Sequence, residues 1–365
     1  MRIGIDARLI QETGVGRYIR NLIDGLSGID DTNEYVIFLT STSFDRFVVP
    51  NARWKKVHAD VSWHSVREQL VMPSLFAHEK LDVVHVPYFS IPILYNGAMI
   101  VTIHDLIIEH FDTGKASTHS RLFYRLKRFL YTMVVSIGVR KARHIITPSV
   151  ATKDEVVSHY GVSENKITVT HEGIDTHITS FRQAAQKEKP LVRTPYFLYV
   201  GNAYPHKNVR TVIDAISHAD VHMVFVGKKD FFYQRLAQDV SKQGLSSRVT
   251  FFGFAQDRQL ALLYTHAEAL VFPSLMEGFG LPPLEAIACG CPVIASDIPV
   301  HREILGDLVT YFAPIDSQAL ATLFTGWKKR DHQVTEKEEK EFLKKYDWHD
   351  MAKITLHLYE SCTRI

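Results

Sequence analysis

The residues whose types and spacing could do chemistry are concentrated between positions 271 and 297. This segment predicts a strand, a glycine-rich loop, a helix and a second strand, because Pro282 suits a first helical turn and Gly290 suits a helix end. Glu277 stands in the loop, and Glu285 stands one turn inside the helix. We therefore predict that the two carboxylates contact different parts of one ligand and do not act as a paired acid and base.

The spacing of these two glutamates carries little information by itself. The chain has 18 Glu in 365 residues, so about one pair eight positions apart is expected by chance. Glu164 and Glu172 are another such pair. Only Glu277 and Glu285 flank a glycine loop at the predicted carboxyl end of a strand, and this context distinguishes them.

A second chemical segment begins at Gly201-Asn202, directly after the predicted strand 196–200. Lys207 and Arg210 stand at the start of the next predicted helix, where the helix dipole disfavours bare cations. A bound diphosphate would reverse that penalty, because both cations and the helix N-terminus would address the same anion. We interpret the segment as a diphosphate site, with an idle surface pair as the alternative.

Two further candidates lie at strand ends in the first half of the chain. Gly14, Val15 and Gly16 lead into an apolar-periodic helix and would let a phosphate approach its free N–H groups, although a tight turn explains them equally well. They lack the third glycine of the dinucleotide fingerprint. His104, followed by Asp105, could be a base, a hydrogen-bond donor to a sugar, a metal ligand or a structural histidine. Metal is the weakest of these, since no second ligand stands nearby at ligand spacing.

Two series of short β-branched runs must position these residues. Runs that alternate with amphipathic stretches predict β-α-β units and parallel sheets. The first series comprises residues 2–6, 35–39, 56–59, 82–86, 100–104, 144–147 and 167–170. The second comprises residues 196–200, 221–226, 249–252, 269–272, 292–295 and 309–312. They predict an α/β chain with two facing Rossmann-like domains, whose ligands bind beyond the strand carboxyl ends in the cleft between the domains.

The predicted domains are residues 1–185 and 186–345, since 365 residues exceed what one core usually serves. Residues 181–190 are polar, lack periodicity and end in proline, as a linker would. Residues 346–365 follow as a helix with an apolar stripe formed by Trp348, Met351, Ile354, Leu358 and Tyr359. Such a stripe needs a surface to cover, so this helix is predicted to cross back and pack on the first domain.

Composition excludes several classes of protein. With 46% apolar and 22% charged residues and a net charge of +2, the chain is ordinary globular protein with no general reason to bind nucleic acid. Cys289, Cys291 and Cys362 provide neither a disulfide framework nor a zinc knuckle, so we predict reduced thiols. No apolar run reaches 18 residues, and the strand pattern begins at Arg2. We therefore predict a cytoplasmic protein without a signal peptide or membrane-spanning helix.

The near-neutral balance conceals one basic stretch. Residues 113–153 contain nine Lys and Arg but no Asp or Glu. Arg121, Arg125 and Arg128 share one side of a predicted helix, about 120° from its apolar stripe. That stripe is formed by Leu122, Leu126, Phe129 and Met133. Such a helix predicts contact with a membrane surface or with the phosphate of an acceptor, and a solvated face over a buried stripe is the alternative.

Taken in order, these motifs resemble a known family. The segment Glu277–Glu285 is similar to the E-x7-E signature of the retaining glycosyltransferase family 4, which has the GT-B fold. The strand-end His104 is similar to a histidine of that family. The other matches in order and spacing are Gly14–Gly16, Pro148-Ser149, Glu172–Asp175 and Gly201–Lys207. The resemblance spans essentially the whole chain.

The resemblance implies specific roles in transfer of a sugar from a nucleotide sugar, with retention at the anomeric carbon. It implies that Glu285 holds the ribose, that Glu277 holds hydroxyls of the donor sugar and that Lys207 stabilises the leaving diphosphate. It implies that His104 bonds the donor sugar near the reacting carbon. The other implied donor contacts are Gly14, Val15, Gly16, Phe279, Gly280 and Leu281. Family members often carry Arg where this chain has Asn202, so the diphosphate would depend on Lys207, helped by Arg210.

The resemblance also implies a class of substrate. Similarity to mannosyltransferase-like members favours mannose from GDP-mannose, transferred to a bacterial surface glycan or to a lipid-linked acceptor at the inner membrane face. No metal and no cofactor besides the nucleotide-sugar substrate are implied. The alternatives are a UDP-sugar-dependent GT-B transferase or epimerase, and a two-lobed sugar-nucleotide-binding protein without catalysis. A phosphorylase is disfavoured, because the sequence offers no recognisable lysine site for pyridoxal phosphate.

Overall fold

The computed structural model describes residues 1–111, 121–174 and 176–363, excluding the side chains of residues 121–128, 176 and 363. These residues form two compact units. The first contains residues 1–106, 121–173 and 347–363, and the second contains residues 107–111 and 174–346 with the gap given above.

The first unit is built on a seven-stranded parallel sheet. Its strands are β1 (Arg2–Asp6), β2 (Glu34–Leu39), β3 (Trp54–His58), β4 (Val83–Val86), β5 (Met99–Thr102), β6 (His144–Thr147) and β7 (Ile167–Val169). The order is β3-β2-β1-β4-β5-β6-β7, so the direction of winding reverses between β1 and β4. In parallel sheets, ligands bind beyond the carboxyl ends of the strands beside such a reversal.

The second unit is built on a six-stranded parallel sheet. Its strands are β8 (Phe197–Val200), β9 (Met223–Val226), β10 (Val249–Gly253), β11 (Leu270–Phe272), β12 (Val293–Ser296) and β13 (Thr310–Phe312). The order is β10-β9-β8-β11-β12-β13. The core of this unit joins the sheet to helices through aromatic and β-branched side chains, as expected where helices cover a parallel sheet.

The α-helices alternate with these strands along the chain. In chain order they are α1 (Gly14–Ile29), α2 (Ser41–Phe44), α3 (Val66–His78), α4 (Ile107–His110), α5 (Arg121–Lys141), α6 (Val150–Tyr160), α7 (Thr176–Ser180), α8 (Arg182–Ala185), α9 (Val209–Ser217), α10 (Phe231–Lys242), α11 (Asp257–His266), α12 (Leu281–Ala288), α13 (Pro299–Leu305), α14 (Ser317–Gly326), α15 (Glu336–Leu343) and α16 (Trp348–Thr363). Every predicted strand run overlaps a strand of the described structure, which confirms the two Rossmann-like domains.

The predicted linker is part of the second unit. The chain passes from the first unit to the second after Gly173, earlier than the predicted boundary at residue 185. Arg182 bonds the buried carboxylate of Glu339, and the ring of His266 donates to two backbone carbonyls of the predicted linker. The segment predicted to be a hinge is therefore bonded to side chains of α11 and α15.

Helix α16 packs against α1 in the first unit, the position predicted for it. The two helices approach closely at Gly25, where an added Cβ would lie 2.6 Å from the Cβ of Ala352. The predicted stripe is buried except for Ile354, which is 41% exposed. The buried members are Trp348, Met351, Leu358 and Tyr359.

Candidate functional site

The glycine loop after β11 forms as the sequence predicts. Gly280 has a φ of 97°, a conformation that L side chains rarely adopt, and an added Cβ would lie 3.1 Å from the ring of Phe272. Helix α12 begins at the next residue, Leu281, with proline in its first turn. The first N–H groups of a helix have no intrahelical partners, so those near Leu281 can bind ligand oxygens.

Lys207 and Glu277, predicted as separate ligand contacts, form one ion pair. The Nζ of Lys207 lies 2.6 Å from Oε1 of Glu277, and both side chains are largely buried. The hydroxyl of Ser274, just after β11, donates to the same oxygen over 2.6 Å. Burial by itself would raise the pKa of Glu277, but the charge of Lys207 and these hydrogen bonds hold that pKa below its ordinary value. Glu277 is therefore a carboxylate in the folded protein.

Asn208 fixes the turn that carries Lys207, a role that sequence reasoning missed. Residues 205–207 form a single 3-10 turn, and Asn208 follows in the left-handed region with a φ of 52°. Its side-chain amide donates to the carbonyls of Pro273 over 3.0 Å and Pro314 over 2.6 Å. The loop after β8 is thereby tied to the end of β11, which brings Lys207 to Glu277. Asparagine tolerates this conformation, and that preference was the available signal.

Glu285 is buried on α12 and bonded by one tyrosine. The hydroxyl of Tyr264 on α11 donates to Oε2 of Glu285 over 3.0 Å. Burial, and then the nearby charge of Glu285, raise the pKa of Tyr264 well above its ordinary value, so this phenol keeps its proton and acts as a donor. Sequence reasoning did not single out Tyr264.

The second unit has two other polar candidates, Arg210 and Asn202. In the described structure their side chains bond groups other than the Lys207–Glu277 ion pair. The side chain of Arg210 is 85% exposed and lies 3.9 Å from Asp214 on the same helix. Asn202 accepts from the backbone N–H of Tyr204 over 3.3 Å, so its side chain organises the loop after β8. Lys207 is the cation that the structure brings to Glu277.

His301 supports the same loop from α13 and was not predicted. Its Nδ1–H donates to the carbonyl of Ser296 over 2.8 Å, and its ring packs against Phe272. The hydroxyl of Ser296 donates to the carbonyl of Ser274. Burial lowers the pKa of His301 to about 4, which keeps the ring neutral. The end of β12 thus stabilises the turn that presents Glu277.

In the first unit, His104 follows β5 and is 9% exposed. Its Nδ1 lies 3.2 Å from Oε1 of Glu172, and its Nε2 lies 3.1 Å from the carbonyl of Pro87. The ring of Tyr18 on α1 meets the imidazole edge to face, with 4.8 Å between centroids. Glu172 belongs to the motif Glu172–Asp175 and to the second pair of glutamates eight apart, but no sequence pattern joins it to His104.

The predicted glycine loop lies at the start of α1. Gly14 is already the first residue of that helix. An added Cβ at Gly16 would lie 2.6 Å from the carbonyl oxygen of Ile10, so glycine allows the preceding loop to fold onto the helix. The backbone of Gly14, Val15 and Gly16 consequently forms the first helical turn, whose N–H groups point out of the helix end.

Residues 121–141 of the basic stretch form α5, and no described helix is long and apolar enough to cross a bilayer. The side chains of Arg121, Arg125 and Arg128 lie outside the described residues. Phe129 is 65% exposed and Met133 is 41% exposed. The alternative of a solvated face over a buried stripe is therefore wrong for these two residues.

Within residues 1–111, 121–174 and 176–363, no group of three or more His, Cys, Asp or Glu side chains is arranged to hold a metal ion. Of the predicted site residues, the structure pairs Lys207 with Glu277 beside a helix N-terminus in one unit, and His104 with Glu172 after a strand end in the other. Cys289 and Cys291 are buried free thiols.

Two family models match successive parts of the chain. A model described as Glycosyltransferase Family 4 matches residues 13–178, and one described as Glycosyl transferases group 1 matches residues 180–346. The chain is also 30% identical over 263 residues to the O-antigen chain mannosyltransferase RfbU of Salmonella typhimurium, covering 70% of this chain and 68% of that protein. The chain belongs to glycosyltransferase family 4.

Other proteins similar to this glycosyltransferase cover it more completely. The O-antigen chain mannosyltransferase B of Escherichia coli is 26% identical over 337 residues, 85% of each chain. Sucrose-phosphate synthase from Thermosynechococcus elongatus has a TM-score of 0.77 at 18% identity, over 99% of this chain and 98% of that one. Anabaena Alr3699/HepE, solved with UDP and glucose, has a TM-score of 0.72 at 18% identity, over 99% of this chain and 100% of that one. These structural likenesses show the GT-B fold of the enzyme.

Proposed function

We propose that this glycosyltransferase moves mannose from GDP-mannose to an acceptor hydroxyl, with retention, in the synthesis of a bacterial surface glycan. The Lys207–Glu277 ion pair beside the N-terminus of α12 is the observation that supports it best. Similarity to two relatives, both O-antigen chain mannosyltransferases, supports the choice of sugar and of pathway class.

Lys207 serves the leaving group in this proposal. An ammonium has three N–H donors, and Glu277 takes one of them, which leaves donors for the oxygens of a diphosphate. The bond between the anomeric carbon and the diphosphate oxygen breaks, and negative charge grows on that oxygen. A fixed cation stabilises the growing charge more in a water-poor site than in water. The acceptor oxygen then bonds the same face of the carbon, and its proton passes to the departing phosphate.

Glu277 serves as a hydrogen-bond acceptor for hydroxyls of the donor sugar and not as a nucleophile. Its Oε1 accepts hydrogen bonds from both Lys207 and Ser274, so Oε2 remains to accept hydrogen bonds from hydroxyls of the donor sugar. Its charge is partly neutralised by Lys207, which makes it a poor nucleophile. Glu285, oriented by Tyr264, is proposed to accept the ribose hydroxyls.

A donor panel tests this proposal. The purified protein is assayed with GDP-mannose and with UDP-, ADP- and dTDP-sugars for thermal stabilisation and for transfer or slow hydrolysis, and the anomeric configuration of the product is read by NMR. GDP-mannose should raise the melting temperature most, and α-mannosyl product or α-mannose should appear. Glu277→Gln should abolish turnover, while the exposed control Glu341→Gln should retain it. Preference for another nucleotide would overturn the choice of donor, and binding without turnover would favour a non-catalytic protein.

We also propose that the first unit docks on an anionic membrane surface. Exposed apolar side chains lie on elements that contact one another: the rings of His64 and Tyr131 meet at 5.0 Å, and Gln69 on α3 and Lys141 on α5 both bond the backbone of Ile93. We call these side chains the apolar surface, formed by Trp63, Val66, Leu70, Leu94, Phe129, Leu130, Met133 and Ile137. Four of its members, Phe129, Leu130, Met133 and Ile137, belong to the basic stretch 113–153, which has nine cations and no carboxylate. Apolar burial together with attraction to anionic lipid is the chemistry of peripheral membrane binding.

Vesicle sedimentation tests the membrane proposal. The protein should sediment with vesicles containing phosphatidylglycerol more than with pure phosphatidylcholine, and added salt should weaken the binding. Phe129→Ser combined with Met133→Ser should reduce binding several-fold. Phe254→Ser, which changes a 77% exposed side chain of the second unit, should leave binding unchanged. Equal partition to neutral and anionic vesicles would overturn the proposal.

A further inference from the structure

We propose that His206 is a further donor-binding residue, whose imidazole N–H donates a hydrogen bond to the donor diphosphate beside Lys207. The inference rests on the proposed function, because it takes the Lys207–Glu277 pair as the place where the diphosphate binds. The motif Gly201–Lys207 contains His206, but the spacing of that motif assigns it no role. Its place in the fold, its burial and the charges around it support one.

His206 belongs to the short turn that carries Lys207. Residues 205–207 form this 3-10 turn, so the two side chains leave neighbouring positions of one rigid piece of backbone. The backbone carbonyl of His206 accepts from the N–H of Leu275 over 2.7 Å. Leu275 stands two residues before Glu277 in the loop after β11. His206 is therefore fixed against the same loop that presents the carboxylate partner of Lys207.

The imidazole of His206 holds a buried polar atom without a partner. The residue is 4% exposed, and its Nδ1 has no hydrogen-bond partner among the residues that the structure describes. The rings of Tyr204 and Phe111 flank the imidazole, each with 6.0 Å between centroids. Burial of a polar atom without a hydrogen bond costs free energy, and an apolar ring in this aromatic setting would avoid that cost. A ligand that bonds the imidazole would recover it.

The charges near His206 favour a neutral ring and an anionic ligand. Burial, and then the charge of Lys207, lower the pKa of His206 to about 4, whereas Glu277 acts in the opposite direction. Both members of the ion pair are thus close enough for their charges to act on the imidazole. A neutral imidazole carries one N–H, which can donate to a phosphate oxygen without placing a second positive charge beside Lys207. A diphosphate has several acceptor oxygens, so one ligand can accept from both side chains.

Two substitutions separate the hydrogen bond from packing. His206→Phe keeps an aromatic ring between Tyr204 and Phe111 but removes both nitrogens. His206→Asn fills the space less well but keeps an amide N–H near the position of Nδ1. A hydrogen bond to the diphosphate predicts tighter binding by His206→Asn than by His206→Phe, and a packing role predicts the reverse order. His218→Phe, at an exposed position of the same unit, is the matched control.

Binding of GDP, GDP-mannose and guanosine to the full chain tests the assignment, by calorimetry for the two nucleotides and by NMR line broadening for the nucleoside. His206→Phe should weaken binding of GDP and of GDP-mannose about tenfold and leave guanosine unchanged. His206→Asn should recover part of that affinity, His218→Phe should bind as the native chain does, and His206→Phe should melt no lower than the native chain.

Three results would overturn the proposal. They are unchanged GDP binding in His206→Phe, an equal loss for GDP and guanosine together with a lower melting temperature, and a loss confined to GDP-mannose, which would assign the N–H to a sugar hydroxyl. Preference of the native chain for another nucleotide would count against the proposed donor alone. The same comparison is then made with that nucleoside, its diphosphate and its diphosphate sugar, because the diphosphate is common to these donors.

Discussion

Each member of the Lys207–Glu277 pair is bound to the other before any ligand arrives. Removing Lys207 therefore has two consequences: a diphosphate loses its cation, and Glu277 is left as a buried carboxylate without its counter-charge. Loss of one partner of a buried pair commonly costs about 3 kcal/mol of stability. Activity and stability must be measured together to separate these effects.

Lys207→Ala should lower kcat/KM for transfer at least tenfold, equivalent to about 1.4 kcal/mol of transition-state stabilisation. It should also lower the free energy of unfolding, because Glu277 remains charged. Adding Glu277→Gln should recover most of that stability and none of the activity. Lys242→Ala, at an exposed position of the same unit, is the control. Unchanged kinetics in Lys207→Ala would remove this residue from the mechanism.

Contacts between individual side chains could not be predicted from the sequence. The bonds from Lys207 to Glu277 and from His104 to Glu172 join positions 70 and 68 apart. Such pairs depend on the order of strands in each sheet, which local spacing does not encode. Ordered motifs identified most members one by one, but the supporting residues Asn208, Tyr264 and His301 lie outside those motifs.

At the scale of elements, the sequence was a better guide, because the periodicity of strands and helices is local. The runs of β-branched residues matched strands in both sheets, and the stripe on α16 predicted its burial. The predicted boundary at residue 185 differs from the change of unit after Gly173. Polar composition does not distinguish an exposed hinge from a segment bonded to neighbouring helices. The sequence pattern did not single out Gly25 of α1, because its close approach to Ala352 on α16 depends on tertiary packing.

Two glycines of α1 should respond oppositely to the same substitution. Gly25→Ala places a Cβ 2.6 Å from Ala352 on α16 and should destabilise the first unit by about 1–3 kcal/mol through overpacking. Gly28→Ala meets nothing within 4 Å and should stabilise the helix by up to about 1 kcal/mol. Urea unfolding followed by circular dichroism measures both. A stabilising Gly25→Ala would show that the two helices are not in close contact.

At the scale of the whole molecule, buried neutral histidines link stability to pH in both units. Burial lowers the pKa of His85 in the first unit to about 3, and that of His206 and His301 in the second to about 4. An unfolded chain protonates its histidines near pH 6.5. Between that pH and about 4, the unfolded state therefore binds more protons than the folded state, and the free energy of unfolding falls as the pH falls.

This acid sensitivity should be visible above the pH at which Glu277 and Glu79 begin to take part. Glu277 and Glu79 titrate below the ordinary glutamate pKa in the folded state, so their contribution to acid unfolding is confined to lower pH. Calorimetric melting temperatures should consequently decline from pH 6.5 to 5, each buried histidine adding up to about 1.4 kcal/mol per pH unit. His301→Asn keeps a donor for the carbonyl of Ser296 and removes the titration, so it should flatten the decline for the second unit. The exposed His218→Asn should not. An unchanged slope in His301→Asn would mean that this imidazole can be protonated while the second unit stays folded.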